Sequence, residues 1–202
     1  MLQNRVDPFG NIIRTSARGR LMGNRGLLHN EKQEIKRPFK LSAWITCVLE
    51  FRDRRRPVMA PGQYTELFFM DEATSFAAGH RPCFECRRSE ASAFKAFWLK
   101  GNPEYGFNIK TPIKAIDEIL QKERIDQDYK KVTFQEEPIV LPNGAFVAFR
   151  NEPYLIKDEM MYPWSAEGYG RAQLLPQEKL PVLTPKSIVN TFKAGYLPSF
   201  IE

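Results

Sequence analysis

Two thiols stand at C-x2-C spacing in the stretch His80-Arg81-Pro82-Cys83-Phe84-Glu85-Cys86-Arg87-Arg88. Cysteines three apart in a tight turn can aim both sulfurs at one ion, and zinc–thiolate bonds of about 2.3 Å demand that convergence. Arg81, Arg87 and Arg88, with a helix start expected beside Cys86, favour the thiolate form that metals need. One such pair supplies half of a tetrahedral site. The third cysteine, Cys47, falls on a nearby expected strand, and His80 lies three residues before Cys83, close enough to turn back onto the same ion. Cys47, Cys83, Cys86 and His80 are therefore the expected ligands, with His29 a further candidate and zinc the expected cofactor. Two other chemistries use the same spacing. A redox dithiol sits at a helix start, but in a parallel βαβ frame that the pattern around Cys83 does not show. Inert buried thiols also fit.

Charge is the second signal. Residues 1–60 carry ten Arg and three Lys against five acidic side chains, net +8, so the remaining 142 residues sum to −2. Arginine's planar fork suits phosphate and carboxylate, which it binds through paired hydrogen bonds. Ala17 to Gly26 holds Arg18, Arg20 and Arg25 among three glycines, a composition that fits an anion cradle or a plain basic loop. It lacks the Lys-Ser/Thr of a phosphate-binding P-loop. Arg54, Arg55 and Arg56 follow the Cys47 strand. The expected anion- or nucleic-acid-binding set is Arg18, Arg20, Arg25, Arg54, Arg55, Arg56, Arg81, Arg87 and Arg88.

The elements that must position these groups read as α+β. Trp44 to Phe51 alternates as a strand, with Ile45, Cys47, Leu49 and Phe51 as its expected inward face. Tyr64 to Phe69 reads as another strand. Asp71 or Thr74 opens a short helix stopped by Gly79, Ser89 caps a second helix ended by Gly101-Asn102-Pro103, and Thr111-Pro112 starts a third. From Val132 the texture changes to short strands: a hairpin of 139–149 about Asn143-Gly144, then Tyr154–Ile156 and Met160–Trp164, before a final helix from Thr184-Pro185 to Gly195. The expected architecture is a small mixed region carrying the C-x2-C knuckle and helices over 1–130, followed by a short-stranded antiparallel region over 131–202, either as a separate domain or as the continuation of one. At 202 residues such a chain buries a core without staples. No apolar run exceeds five residues, against about 20 for a membrane span, and no apolar leader follows Met1, so the cytoplasm is the default location.

The run Phe69 to Cys86, with its Glu72-Ala73, Ala77-Ala78-Gly79 and Arg81-Pro82-Cys83-Phe84-Glu85-Cys86 segments, resembles the second half of the zinc-binding module of the bacterial Ada DNA-repair family. That resemblance implies a four-thiolate zinc site, contact with the DNA backbone and methyl transfer to one cysteine. Cys83 and Cys86 match its second ligand pair, and Arg81 matches the basic residue beside it. Its first pair, which includes the methyl acceptor, has no counterpart where this chain reads Phe51 to Arg56, so methyl-acceptor repair is not expected. The whole chain also resembles a family of uncharacterised bacterial proteins sharing the segments seen here at Ala17–Gly26, Glu66–Arg88 and Pro163–Tyr169.

Two further groups carry paired readings. Tyr162, Trp164 and Tyr169 suit base stacking or, preferably, the aromatic edge of a β core. Glu66, Asp71 and Glu72 suit general-base or ligand roles, or, preferably, helix capping and a solvated helix start. The leading functional expectation is a zinc-knuckle module that binds nucleic acid through its arginines. The alternative is an enzyme acting on a small phosphate- or carboxylate-bearing substrate through the glycine–arginine loop and the Cys/His site.

Overall fold

The structure is a computed structural model, and it describes residues 1–52 and 57–201. Among the described residues, two six-stranded sheets and four α-helices make up an α+β fold. The first sheet holds β1 (Gln3–Val6), β2 (Ile12–Arg14), β3 (Leu21–Asn24), β4 (Ile45–Cys47), β5 (Leu67–Phe69) and β6 (Arg81–Pro82), in the order β2-β1-β5-β3-β4-β6. The β1–β5 and β4–β6 pairs are parallel, while β3 runs antiparallel to both β4 and β5. The second sheet is antiparallel throughout. It is built from β7 (Phe134–Glu136), β8 (Phe146–Phe149), β9 (Glu152–Lys157), β10 (Met160–Pro163), β11 (Gln173–Leu174) and β12 (Leu180–Val182), in the order β11-β10-β9-β8-β12-β7.

Helix α1 (Glu72–Ala77) starts where the Asp71 carboxylate accepts from the Thr74 N–H at 2.8 Å, and it stops at Gly79, whose φ of +82° a β-carbon would strain. Helix α2 (Arg88–Gly101) opens without a side-chain cap; Ser89, the expected cap, lies inside it. It buries Ala91, Phe94 and Trp98, which repeat at helical spacing. Helices α3 (Ile113–Arg124) and α4 (Lys186–Lys193) follow prolines at the expected places. Phe76, Phe94, Trp98, Phe192 and Tyr196 from these elements form one buried aromatic cluster.

Chain beyond residue 130 completes cores begun before it. Ala73 and Ala77 of α1 pack with Phe146, Leu155 and Leu183. The Tyr169 hydroxyl donates to Asp71 at 2.7 Å, the Trp164 indole N–H donates to Thr74 at 3.1 Å, and the Ser199 N–H donates to Glu72 at 2.9 Å. Tyr162, Trp164 and Tyr169 are thus the edge of an apolar cluster, as their preferred reading holds.

Two expectations change. The segment before Asn143-Gly144 is a 3-10 turn (Pro138–Val140), not a hairpin strand. Pro138 and Pro142 cannot donate to a ladder there, and β12 takes the place beside β8. The Trp44–Phe51 strand shortens to Ile45–Cys47, and the face that carries Trp44 and Thr46 is more deeply buried than the expected inward face of Ile45 and Cys47. Trp44 and Thr46 are the deeply buried side chains, whereas Leu49 is 51% exposed. The Ile45–Cys47 face looks into an open cavity.

Candidate metal centre

Backbone pairing brings the cysteines together. β4 and β6 run parallel with Ile45 opposite Arg81 and Thr46 opposite Pro82, and the Cys83 N–H donates to the Thr46 carbonyl at 3.0 Å. Cys47 and the knuckle therefore converge at the ends of these strands. The sulfurs of Cys47, Cys83 and Cys86 all lie within 4.8 Å of one another, and all three thiols are free of disulfides. Tetrahedral zinc with bonds of about 2.3 Å sets its sulfurs roughly 3.8 Å apart, so the cluster fits one ion with a closing movement of about 1 Å or less. These three residues could hold a metal ion.

Local electrostatics already divide the cluster. The Cys83 sulfur accepts a hydrogen bond from the Cys47 thiol and others from the Cys86 and Glu85 amides, the last at 3.3 Å, which lowers its pKa to about 5. Cys47 is pushed far up, first by its bond to Cys83 and then by burial. Burial raises Cys86 despite a hydrogen bond from the Val48 amide. The knuckle is held from behind by two buried ion pairs. Arg81 grips Asp117 of α3 through two bonds of 2.7 Å, and Arg87 meets Glu72 of α1 at 2.5 Å.

The other sequence-derived candidates are placed elsewhere. His80 does not join the sulfur cluster: it is fully buried, with its ring 5.2 Å from that of Trp44 and 4.6 Å from that of Phe69. Its Nε2 accepts from Arg25 Nε at 3.1 Å. Burial, reinforced by Arg25, Arg124 and Lys131, holds it well below the usual histidine range, so it is a neutral imidazole. His29 pairs with the Thr65 hydroxyl at 2.6 Å. Among the arginines, Arg18, Arg20 and Arg88 are exposed, but Arg25, Arg81 and Arg87 are buried, the last two engaged with carboxylates. Arg54, Arg55 and Arg56 lie outside the described residues. Asp71 is the cap of α1, and Glu72, rather than being solvated, is 4% exposed beneath Arg87, Tyr196 and Ser199.

Beside the sulfurs opens a cavity of about 530 Å³ that the sequence did not announce. Met22, Ile45, Val48, Leu49, Tyr64 and Phe68 give it mostly apolar walls, and all three cysteines reach it. Glu66 and Glu85 are its carboxylates; Glu66 is buried and accepts from the Met59 N–H at 2.8 Å. The signal for this cavity lies in strand parity: Met22 pairs with Cys47 and Asn24 with Ile45, so all four side chains share one face. Compared with family models, curated proteins and solved structures, the chain finds no match. Among the described residues, no helix is long and apolar enough to cross a membrane.

Proposed function

We propose that this protein is a zinc enzyme in which Cys47, Cys83 and Cys86 hold the ion and the fourth coordination position faces the adjoining cavity, where a small, largely apolar substrate binds. One observation carries this reading: three sulfurs converge at the wall of a cavity of about 530 Å³, and among the described residues no fourth His, Cys, Asp or Glu ligand atom lies within 4.8 Å of all three. Structural zinc sites are closed by four protein ligands, whereas catalytic sites keep three and leave one position open. Zinc bound in this way supplies a Lewis-acidic position for a donor atom of the substrate. The chain's own residues do the rest. Ile45, Leu49 and Phe68 give the substrate apolar walls to pack against, and Glu66, held by the Met59 amide, places a carboxylate at the same cavity. A disulfide would use two of the three sulfurs and leave the third unexplained, so a metal accounts for more of the geometry than a redox dithiol.

A polyanion reading keeps the exposed Arg18, Arg20 and Arg88 for its support. One experiment separates the two. With cobalt(II) in place of zinc, the visible spectrum is recorded while imidazole or a small thiol is added. The enzyme reading expects the d–d bands to change as the added donor takes the open position, and Cys47→Ser to alter the starting spectrum. A spectrum blind to every added donor overturns the reading. If such a protein instead binds duplex DNA, with log K falling by about 0.9 for each phosphate neutralised per unit of log salt, the polyanion reading replaces it.

A further inference from the structure

On the opposite face of the first sheet lies a second cavity, of about 670 Å³, whose floor is cationic. Arg25, Arg124 and Lys131 line it, and Lys36, Arg37 and Lys130 stand exposed at its rim. The first two are 1% and 2% exposed, and neither has a carboxylate within ion-pair distance among the described residues. Arg25 donates Nε–H to His80 and Nη1–H to the Gly10 carbonyl at 3.0 Å, and its Nη2 has no partner among the described residues. Arg124 donates to the Gly79 and Ser42 carbonyls and to Gln121, and its Nε has no partner among the described residues. Lys131 donates to the Ala77 carbonyl.

Charge bookkeeping identifies the missing group. Asp7 is the carboxylate whose field acts on Arg25 and Lys131, and burial raises its own pKa. Asp117, which acts on Arg124, is already consumed by Arg81. Arg25 and Arg124 are thus two guanidinium charges without a carboxylate partner among the described residues, in a buried site. Buried unpaired cations are costly, and each guanidinium here lowers the proton affinity of its neighbours. Burial first, then Arg25 and Arg124, hold Lys131 down to about 7. A dianion would cancel the excess. Among common biological groups, a phosphate monoester carries two charges and the oxygen geometry that arginine forks match. The cavity is several times larger than a phosphate, and Tyr129, 63% exposed on its wall, offers a ring on which the rest of a ligand can lie.

We propose that this cavity binds the phosphate of a small phosphorylated molecule through Arg25, Arg124 and Lys131. The site is separate from the sulfur cluster, so it stands whether or not the zinc reading does. The probes are inorganic phosphate and sulfate, added to the full-length protein at constant ionic strength, with the melting temperature and calorimetric binding as readouts. Phosphate is expected to raise the melting temperature where equal ionic strength of chloride does not. Lys131→Met, which keeps the aliphatic stem, should weaken phosphate binding by about tenfold or more. In phosphate-free buffer the same variant should melt close to the parent, the lost bond to the Ala77 carbonyl being offset by removal of a repelling cation. Sulfate does not titrate in this range, so its affinity should fall from pH 6.5 to 8.5 as Lys131 loses its proton. The same phosphate response in Cys83→Ser marks the site as independent of the metal centre. Equal responses to phosphate and chloride, or undiminished phosphate binding by Lys131→Met, overturn the proposal.

Discussion

Trp44 and Cys47, three residues apart at one strand, project to opposite faces of the first sheet. The Cys47 sulfur joins the cysteine cluster, while the Trp44 ring lies 3.9 Å from the Arg25 guanidinium carbon and 4.0 Å from that of Arg124. An odd separation along a strand makes this unavoidable. Trp44 is 2% exposed, so Trp44→Ala removes a large buried ring together with two cation–π contacts. The expected loss is about 3–5 kcal/mol in chemical denaturation. Metal content of the surviving folded protein should stay unchanged, because that side chain is absent from the sulfur face. A loss below about 1 kcal/mol means the ring is not packed as described.

Asp117 tests the support behind the knuckle. Its pair with Arg81 is almost wholly buried, with side-chain exposures of 3% and 5%. Asp117→Ala leaves a buried guanidinium without its counter-charge and should cost about 3–5 kcal/mol. Replacing both partners with apolar residues of similar size should recover much of that loss. A double variant as unstable as Asp117→Ala contradicts the uncompensated-charge explanation.

Gly79 is required twice over. Its φ is +82°, and a β-carbon there would sit 2.6 Å from Arg124 Cδ. Gly79→Ala should therefore destabilise by at least about 1–3 kcal/mol. Gly62, also at positive φ (+73°), has open space around it, so Gly62→Ala should cost only the backbone strain. Equal losses at the two positions contradict the close approach of Arg124.

Several of these features were legible in the residues and others were not, for identifiable reasons. The C-x2-C spacing and Cys47 on a strand sufficed to anticipate the sulfur cluster, because sequence spacing fixes where those thiols can point. The inward face of β4 was misjudged because both faces carry apolar groups, and only tertiary packing of Trp44 against arginines decides between them. Proximity in sequence points His80 at the metal, yet Arg25, 55 residues away, holds it. The cationic cavity left one signal. Arg124 continues the Ile116–Leu120 stripe of α3 at four-residue spacing, and an arginine on an apolar stripe marks a buried cation. Lys131 left none, since nothing local predicts its neighbours.

Stability should carry the imprint of His80. Burial first, then the charges of Arg25 after β3, Arg124 at the end of α3 and Lys131, hold its folded pKa well below the unfolded value of about 6.5. For a base depressed in this way, the unfolded chain takes up the proton first. Its stability contribution is full above about pH 6.5 and is lost as pH falls below that value. His80→Gln, which keeps an acceptor for Arg25, should flatten the decline between pH 6.5 and 5 relative to the parent. Parallel stability curves for the two proteins over that interval contradict a buried neutral imidazole.

The central claim is that three cysteines from two parallel strand ends bind one ion, and elemental analysis of purified, tag-free protein tests it most directly. One zinc per chain, lost in Cys47→Ser as well as in Cys83→Ser, is the predicted result. A stably folded parent protein without metal, or zinc retained undiminished when Cys47 is replaced, contradicts it.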